Sequence, residues 1–527
     1  MSNHGRTGLS LGSLWLMLMM SWGIVPSKAE AFCGFYVAGA DAKLTNDATM
    51  VVLMREGART VMSMRNTYQG PPEDFAMVVP VPVVLDEDDV KTLPDTIFDE
   101  LDAMASPRLV ECWEKDPCLT GAVHTVQSLP GVAVVEESRR WLGFGGDSVV
   151  KIEAQFEVGE YDIVILSASD STGLDRWLRT HGYNIPAGAD KALAPYIEGG
   201  MYFFVAKVDA SKLDSGQQGA QLSPLRFHFD ADTFMLPVRL GMLNAKGPQD
   251  LIVHILSRGH RYQVVNRLNV TVPTNIDVTP EVKGRFGEFY AALFDQVQAN
   301  NPGAVVTEYA WDASSCDPCP GPTLNAEHFM TLGADVLEGK PQGGYVLTRL
   351  HTRYTQASFG TDDLVFATAP PLVGGRERRS EDGLLEQGGM LSPSAMNNFQ
   401  ARYIIRHPWT GPINCPNPVR GRWGGPPDNP NGTRATPAQN TAFAARGKLE
   451  LSSMVADPQA IASVSTLEKV PNSEPRTPPA IPPGLRGPDG GCASCTVQHG
   501  TTSEGALWLG SLLGLLAWVM VRRRRQQ

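Results

Sequence analysis

The chain has 527 residues, 42% of them hydrophobic and 19% charged, and a formal net charge of −11. Such a length allows one large domain or two of ordinary size, and such a composition is that of a globular protein. An acidic balance with no basic stripe argues against nucleic acid as a partner, so export, anchoring and cysteine chemistry become the questions to ask first.

Leu9–Val25 is an apolar run behind a short start containing Arg6, and it ends in Pro26-Ser27-Lys28-Ala29-Glu30-Ala31. Small residues at Ala29 and Ala31 make the A-x-A pattern that a signal peptidase needs, which places cleavage between Ala31 and Phe32. The exported chain then loses Arg6, Lys28 and Glu30, a net +1, and carries −12. Outside the cytoplasm thiols tend to be oxidised, so the eight cysteines are read first as disulfides. Cys33 lacks the small-residue box of a lipoprotein signal in front of it.

The body is expected to run over 32–375 as an α+β fold, with a largely antiparallel sheet and a few clustered helices. Met50–Arg55, a turn at Glu56-Gly57 and Thr60–Arg65 read as a hairpin, because β-branched and apolar residues flank a glycine. Phe75–Val84 follows as an apolar strand, and Pro80 and Pro82, which cannot donate to a ladder, place it at a sheet margin. Asp86-Glu87-Asp88-Asp89 lacks the spaced acids, turn glycine and closing glutamate of a calcium loop and reads as a solvated acidic loop. Pro94-Asp95 opens a helix whose Ile97, Leu101 and Met104 share one apolar face.

Cys112 and Cys118 bracket a short proline-containing stretch and are expected to pair locally. Strands joined by Gly159-Glu160 span Ser148–Leu166, and Ser171 and Thr172 are expected to cap a helix carrying Leu174, Trp177 and Leu178 up to Gly182. A second helix is expected over Ala187–Tyr196 and a strand over Met201–Val208. More strands run from Arg226 to Val272, and a helix follows over Phe286–Val297. Strands dominate and helices cluster, which argues α+β and not a regular βαβ repeat.

Three groups invite a chemical reading. Cys316-Asp-Pro-Cys319 has the spacing of a thiol oxidoreductase, but Pro320-Gly321-Pro322 breaks the helix whose N-terminus would stabilise a thiolate, so a structural disulfide is expected. His228-Phe-Asp230 and His351-Thr-Arg353 each place two polar groups on one face of a strand, which alternation produces on any solvent-facing sheet. No H-E-x-x-H, G-x-S-x-G or phosphate-binding glycine loop occurs, so no catalytic, cofactor or metal residue is assigned.

Beyond about Pro370 the composition shifts. Arg376–Arg379 and Ser380–Gly383 read as an exposed charged loop, and Phe399–His407 as a last strand. The recurring proline and glycine of Pro408–Pro488, interrupted by one helical stretch near Ala438–Leu451, suggest that 376–490 forms a charged loop and a semi-rigid stalk. The tail 491–527 sets Cys492 and Cys495 before an apolar run, Ala506–Val521, and then Arg522, Arg523, Arg524 and Arg525. At about 1.5 Å per residue the run spans roughly 24 Å, enough for a membrane segment with snorkelling arginines that stay cytoplasmic.

That order of cysteine motif, short apolar run and arginine cluster resembles the C-terminal sorting signal of myxobacterial surface proteins (MYXO-CTERM). The resemblance implies cleavage near Cys492 or Cys495 by a sorting protease and transfer to the cell surface. In the body, FCGFYVAGADAKL, MVVLMREG, NTYQGPPEDFAMVVPVPV, EYAWDASSCDPC and YVLTRLHTRY resemble a bacterial family, domain of unknown function 2330, over most of Phe32 to about Pro370. This second resemblance implies no activity. Two functions from different classes follow: a surface-anchored, non-catalytic binding or structural module of the cell envelope, or an extracytoplasmic thiol-disulfide oxidoreductase using Cys316 and Cys319.

Overall fold

The computed structural model describes residues 35–37, 48–65, 76–118, 150–183, 185–212, 222–243, 248–338, 343–355, 362–376, 385–429, 432, 434–439, 449–462 and 464–467. The signal segment with its Ala31/Phe32 site and the tail with Cys492, Cys495 and Arg522 to Arg525 lie outside the described residues. No helix among the described residues is long and apolar enough to cross a membrane.

The architecture starts from the hairpin. β2 (Ala48–Glu56) and β3 (Arg59–Met64) pair antiparallel with Glu56 opposite Arg59. The loop is Gly57-Ala58, one residue later than the sequence suggests, and Gly57 adopts φ 58°, a left-handed value open to a residue without Cβ. Met50–Met54 are buried on both faces of β2, so this strand lies inside the molecule and not at a half-solvated surface.

Around that hairpin grows a twelve-stranded sheet. Its main path runs β20 (Met390–Leu391), β19 (Leu372–Gly374), β21 (Asn398–Gln400), β16 (Val305–Asp312), β17 (Tyr345–Tyr354), β12 (Gln249–Arg258), β2, β3, β10 (Leu225–Asp230) and β5 (Val90–Thr92). β14 (Asn269–Thr271) pairs with β16, and β25 (Ser465–Leu467) with β14. A second sheet has the order β1 (Phe35–Val37), β4 (Ala76–Val81), β9 (Tyr202–Val208), β8 (Tyr161–Ala168) and β7 (Val150–Val158). A third joins β11 (Met235–Leu236), β18 (Leu364–Ala369) and β13 (Arg261–Val264). The fourth runs β15 (Ile276–Asp277), β22 (Arg402–His407), β6 (Arg108–Glu114) and β23 (Trp423–Gly424), with β24 (Arg434–Pro437) also on β6.

Antiparallel pairing dominates, as expected, and the second and third sheets are wholly antiparallel, but the first and fourth also contain parallel pairs. β12 runs parallel to β2 and antiparallel to β17, and β14–β16, β19–β21, β15–β22 and β22–β6 are parallel pairs. Strand pattern reports which face is apolar but not the direction of the neighbour, since buried strands read alike in either direction.

Five α-helices are present among the described residues, and their packing makes layers. α1 (Thr96–Ala105) buries Ile97, Phe98, Leu101 and Met104 against Met50 and Val52 of β2, Ile252 of β12 and Leu347 of β17. Each such side chain contributes about 1.5–3 kcal/mol by leaving water. α2 (Ser171–Thr180) and α3 (Ala189–Glu198) cover the outer face of the second sheet through Leu174, Leu178 and Leu193. The inner face of that sheet, with Met77, Ile163 and Phe204, packs on Val51, Met62 and Phe227 of the large sheet. α4 (Phe286–Asn300) wedges Phe286, Phe289 and Phe294 against Val306 of β16 and Tyr403 of β22. α5 (Ala326–Phe329) is a single turn capped by Asn325.

Local differences from the sequence reading have simple causes. β4 is not at a margin: it lies between β1 and β9, but β1 covers only Ala76–Val78, so Pro80 falls where no strand needs its missing N–H. The cap of α2 is Asp170, whose carboxylate accepts from Gly173 N at 2.6 Å, one residue before Ser171. The acidic run forms a short 3₁₀ turn, Glu87–Asp89, capped by Asp86.

The largest departure is in the expected stalk. Beyond the expected strand Phe399–His407, residues 408–422 are largely exposed, but β23 and β24 pair with β6, β25 pairs with β14, and Leu451, Val455 and Leu467 are buried. Proline there is tolerated because it sits at edges: Pro437 ends β24, which pairs with β6 alone. The helical stretch expected near Ala438–Leu451 falls largely on 440–448, outside the described residues.

Cysteine pairing differs in one of two places. Cys316 and Cys319 are bonded as expected, but Cys118 joins Cys415 across a sequence separation of 297, and Cys112 is not its partner. Cys112 sits inside β6 with its side chain buried beside Val110 and Ile404, and an extended strand carries it away from Cys118. On the chain-entropy account, opening the Cys118–Cys415 link by a double change to Ser should cost about 6 kcal/mol, against about 2 kcal/mol for the four-residue Cys316–Cys319 ring. Denaturant unfolding under non-reducing conditions measures both. Equal losses for the two pairs would contradict the long-range staple.

Candidate functional site

Alternation sends Tyr345, Leu347, Arg349, His351 and Arg353 to one face of β17. α1 and α4 lie over that face of β17, so it is covered and not solvated. Tyr345 and Leu347 join the core under α1, while the side chains of Arg349 and His351 are only 0% and 1% exposed. The solvent-facing reading is therefore corrected: His351 is closed into the interior, while Arg353 is half-buried at the margin of the patch.

Neighbouring strands supply the counter-charges. On β12, His254 stands opposite Arg349 and Asp250 opposite Arg353. On β16 the register against β17 slips between Thr307 and Tyr309, which makes Glu308 the extra residue of a bulge. A bulge re-aims one side chain without ending the strand, and here it directs a carboxylate toward Arg349 and His351. From above, α1 lowers Asp102 and α4 lowers Tyr290 and Phe294.

The resulting network leaves the Glu308 carboxylate fully engaged. Arg349 Nε donates to its Oε2 at 2.6 Å, while its Oε1 accepts from His351 Nδ1 at 2.7 Å and from the Tyr290 hydroxyl at 2.5 Å. Arg349 Nη1 donates to Asp102 Oδ1 and approaches His254 Nε2 at 3.2 Å. His351 Nε2 reaches Asp250 Oδ1 at 3.2 Å, and its ring stacks on Phe294 with centroids 3.7 Å apart. Asp250 also accepts two bonds from Arg353, which continues to Asp295 at 2.6 Å. A line of alternating charge thus leads from the dry interior to Asp295, the most exposed member.

Protonation follows from these contacts. Burial alone would raise the Glu308 carboxyl, but His351 and Arg349 outweigh it and hold it below its ordinary range. Burial would likewise strip the proton from His351, and Glu308 and Asp250 outweigh it, so its pKa is raised. With a carboxylate on each ring nitrogen, His351 donates twice and is an imidazolium. His254 goes the other way: burial, then the Arg349 charge beside it, keeps it neutral. Such a cluster has the residue types of an acid–base site but offers no approach to a reactant, and its chemical capacity is to hold β12, β16, β17, α1 and α4 in one arrangement.

The other sequence candidates are scattered. Cys316–Cys319 closes a surface loop, tied down by Arg108 Nη1 donating to Pro318 O at 2.8 Å and by Gln400 donating to Asp317 O. The next helix, α5, begins only at Ala326, so no helix starts directly at either cysteine. His228 contacts Asp89, while Asp230 forms a forked pair with Arg59 at 2.6 and 2.9 Å near the surface. Among the described residues no group of His, Cys, Asp and Glu has the arrangement of a metal site.

Sequence reading missed Glu308, Arg349, Asp102, Asp250, His254 and Tyr290. One signal was present: Asp102 lies between Leu101 and Met104 on the apolar side of α1, where a carboxylate must meet a partner.

Comparison with known proteins adds one finding. The family described as "Uncharacterized protein conserved in bacteria (DUF2330)" matches residues 27–367. No curated protein and no solved structure matches the chain.

Removing one partner of the cluster strands the others, so Glu308→Gln should cost about 3–5 kcal/mol in urea unfolding. The pH dependence carries a sign. A raised His351 pKa contributes stability that is fully present below about pH 6.5 and is lost as pH rises through the folded value. The stability gap between wild type and His351→Gln should therefore be widest near pH 6 and narrow on going alkaline. A gap that widens with pH would contradict an imidazolium at this position.

Proposed function

Since the chain belongs to the uncharacterised bacterial DUF2330 family, a membership that brings no reaction with it, we propose that it is an exported module held at the cell envelope that binds or supports rather than catalyses. The observation that carries this reading is the closure of the Glu308–Arg349–His351 cluster, whose side chains are 0–1% exposed. The residues best suited to acid–base chemistry are spent on each other, under two helices. Function then belongs to the sheet edges and surface loops.

Export is supported by the Ala29-Glu30-Ala31 pattern and by two disulfides, a state that oxidising compartments sustain. Anchoring is supported by the tail, whose apolar run 506–521 would enter the membrane with Arg522 to Arg525 on the cytoplasmic side. On this reading the partners are a signal peptidase, a sorting protease acting near Cys492 or Cys495, and an envelope ligand. The second reading, a thiol-disulfide oxidoreductase, is favoured by one observation: Cys319 is exposed, so an incoming thiolate could reach the Cys316–Cys319 bond.

Two assays separate these readings. Residues 491–527 fused to an exported reporter should reach the surface of a myxobacterial host, and changing both Cys492 and Cys495 to Ser should abolish display; display that survives would leave a plain membrane anchor. The purified chain should reduce insulin no faster than buffer containing the same reductant. Turnover lost on Cys316→Ser, with the fold intact, would establish the oxidoreductase instead.

A further inference from the structure

Between β16 and α5 the chain leaves the sheet as a surface loop. Its base is closed by Leu324 N donating to Ala313 O at 3.1 Å, and both residues are buried. Farther out Asp317 and Cys319 are exposed, and the Cys316–Cys319 bond closes a four-residue ring. This ring does not project freely. The two carbonyls between its cysteines accept from two fully buried donors that belong to different sheets. Arg108 Nη1 of β6 donates to Pro318 O at 2.8 Å, and Gln400 Nε2 of β21 donates to Asp317 O.

Arg108 makes the contact consequential. Its side chain has no exposure, and among the described residues no carboxylate accepts from it. Nη2 donates to Met104 O, in the last turn of α1, at 2.5 Å, and the guanidinium lies 5.2 Å from the Tyr309 ring centroid. Arg402 stands directly opposite on β22 and adds a like charge. The buried cation therefore depends on carbonyl dipoles, one of them in the ring, through charge-assisted hydrogen bonds about twice as strong as neutral ones. Gln400 also donates to Gly375 O at 2.9 Å, so the ring caps a seam where α1, β6 and β21 meet.

Closure of the ring holds both carbonyls in one geometry. On the chain-entropy account it favours that geometry over the opened loop by roughly twentyfold. Opening can begin at the surface. A thiolate of a small dithiol attacks Cys319 Sγ, the sulfur–sulfur bond breaks, and Cys316 leaves as a thiolate that takes up a proton. The second thiol of the reagent then displaces Cys319 and closes a cyclic disulfide, so the dithiol is oxidised while the protein gains two electrons and two protons. Cys118 and Cys415 are both half-buried, which leaves their bond less open to the same attack.

We propose that Cys316–Cys319 is a redox latch: reduction by a dithiol releases the ring from Arg108 and Gln400 and loosens the seam of α1, β6 and β21, while the rest of the fold stays closed. The latch goes beyond the reading of the chain as an envelope module and needs no substrate turnover. Titrating the full chain with dithiothreitol, alkylating it and mapping the label by mass spectrometry gives the order of reduction. Cys316 and Cys319 should be labelled at about tenfold less reductant, or lower still, than Cys118 and Cys415. At that point hydrogen exchange should be about tenfold faster or more in 314–323, Ala105–Leu109 and Phe399–Gln400, and unchanged in β8 and β9. The Cys316→Ser, Cys319→Ser double variant, with no reductant, should give the same pattern. Simultaneous or reversed labelling would overturn the proposal. So would faster exchange that is absent, confined to 314–323, or spread through the whole molecule, since the bond would then be a local or a global staple and not a latch on this seam.

Discussion

A guanidinium with no exposure must be answered where it lies, and Arg349 is answered by Glu308 from β16 and Asp102 from α1. Leaving water costs several kcal/mol per ion even after relaxation, and the attraction between partners offsets that only when the geometry is good and remaining lone pairs are filled. This requirement reaches far into the fold. α1 must sit so that Asp102 points at β17, β16 must bulge at Glu308, and α4 must bring the Tyr290 hydroxyl to the same carboxylate. The charged cluster has one arrangement in which every member is paired.

The same constraint separates what holds the molecule together from what is available to a partner. The interior charge line ends at Asp295, whereas the disulfide loop and the sheet edges remain at the surface. The fourth sheet also shows where the body ends. Its strands β6 and β15 lie within the stretch matched by the family, 27–367, but β22, which pairs with both, comes from residues 402–407. Chain beyond the family match is therefore part of the folded unit, and Cys118–Cys415 links the two parts covalently.

Elements with strong local signals were legible from sequence. The β2–β3 hairpin is specified by Gly57 between two apolar strands, and α1 by the spacing of Ile97, Leu101 and Met104. What could not be read locally was pairing. Nothing in Asp250–Leu256 reveals that it runs parallel to Ala48–Met54, because a strand buried on both faces has no solvent side to betray its neighbours. The charged alternation Arg349-Leu-His351-Thr-Arg353 gave the wrong side for a related reason. Polar alternation implies solvent unless other elements bring counter-charges, and those came from residues 41 to 247 positions away. The pairing expected for Cys118 failed likewise, since its partner is set by the β6–β22 alignment and not by nearness in the chain.

The claim that a locked imidazolium ties β17 to its neighbours can be read directly from the His351 ring. In chain labelled with nitrogen-15 histidine, both His351 ring nitrogens should carry protons at neutral pH and exchange them slowly with solvent, because both are engaged by buried carboxylates. A His351 ring that is neutral at pH 7 and titrates near the ordinary value of about 6.5 would contradict the account.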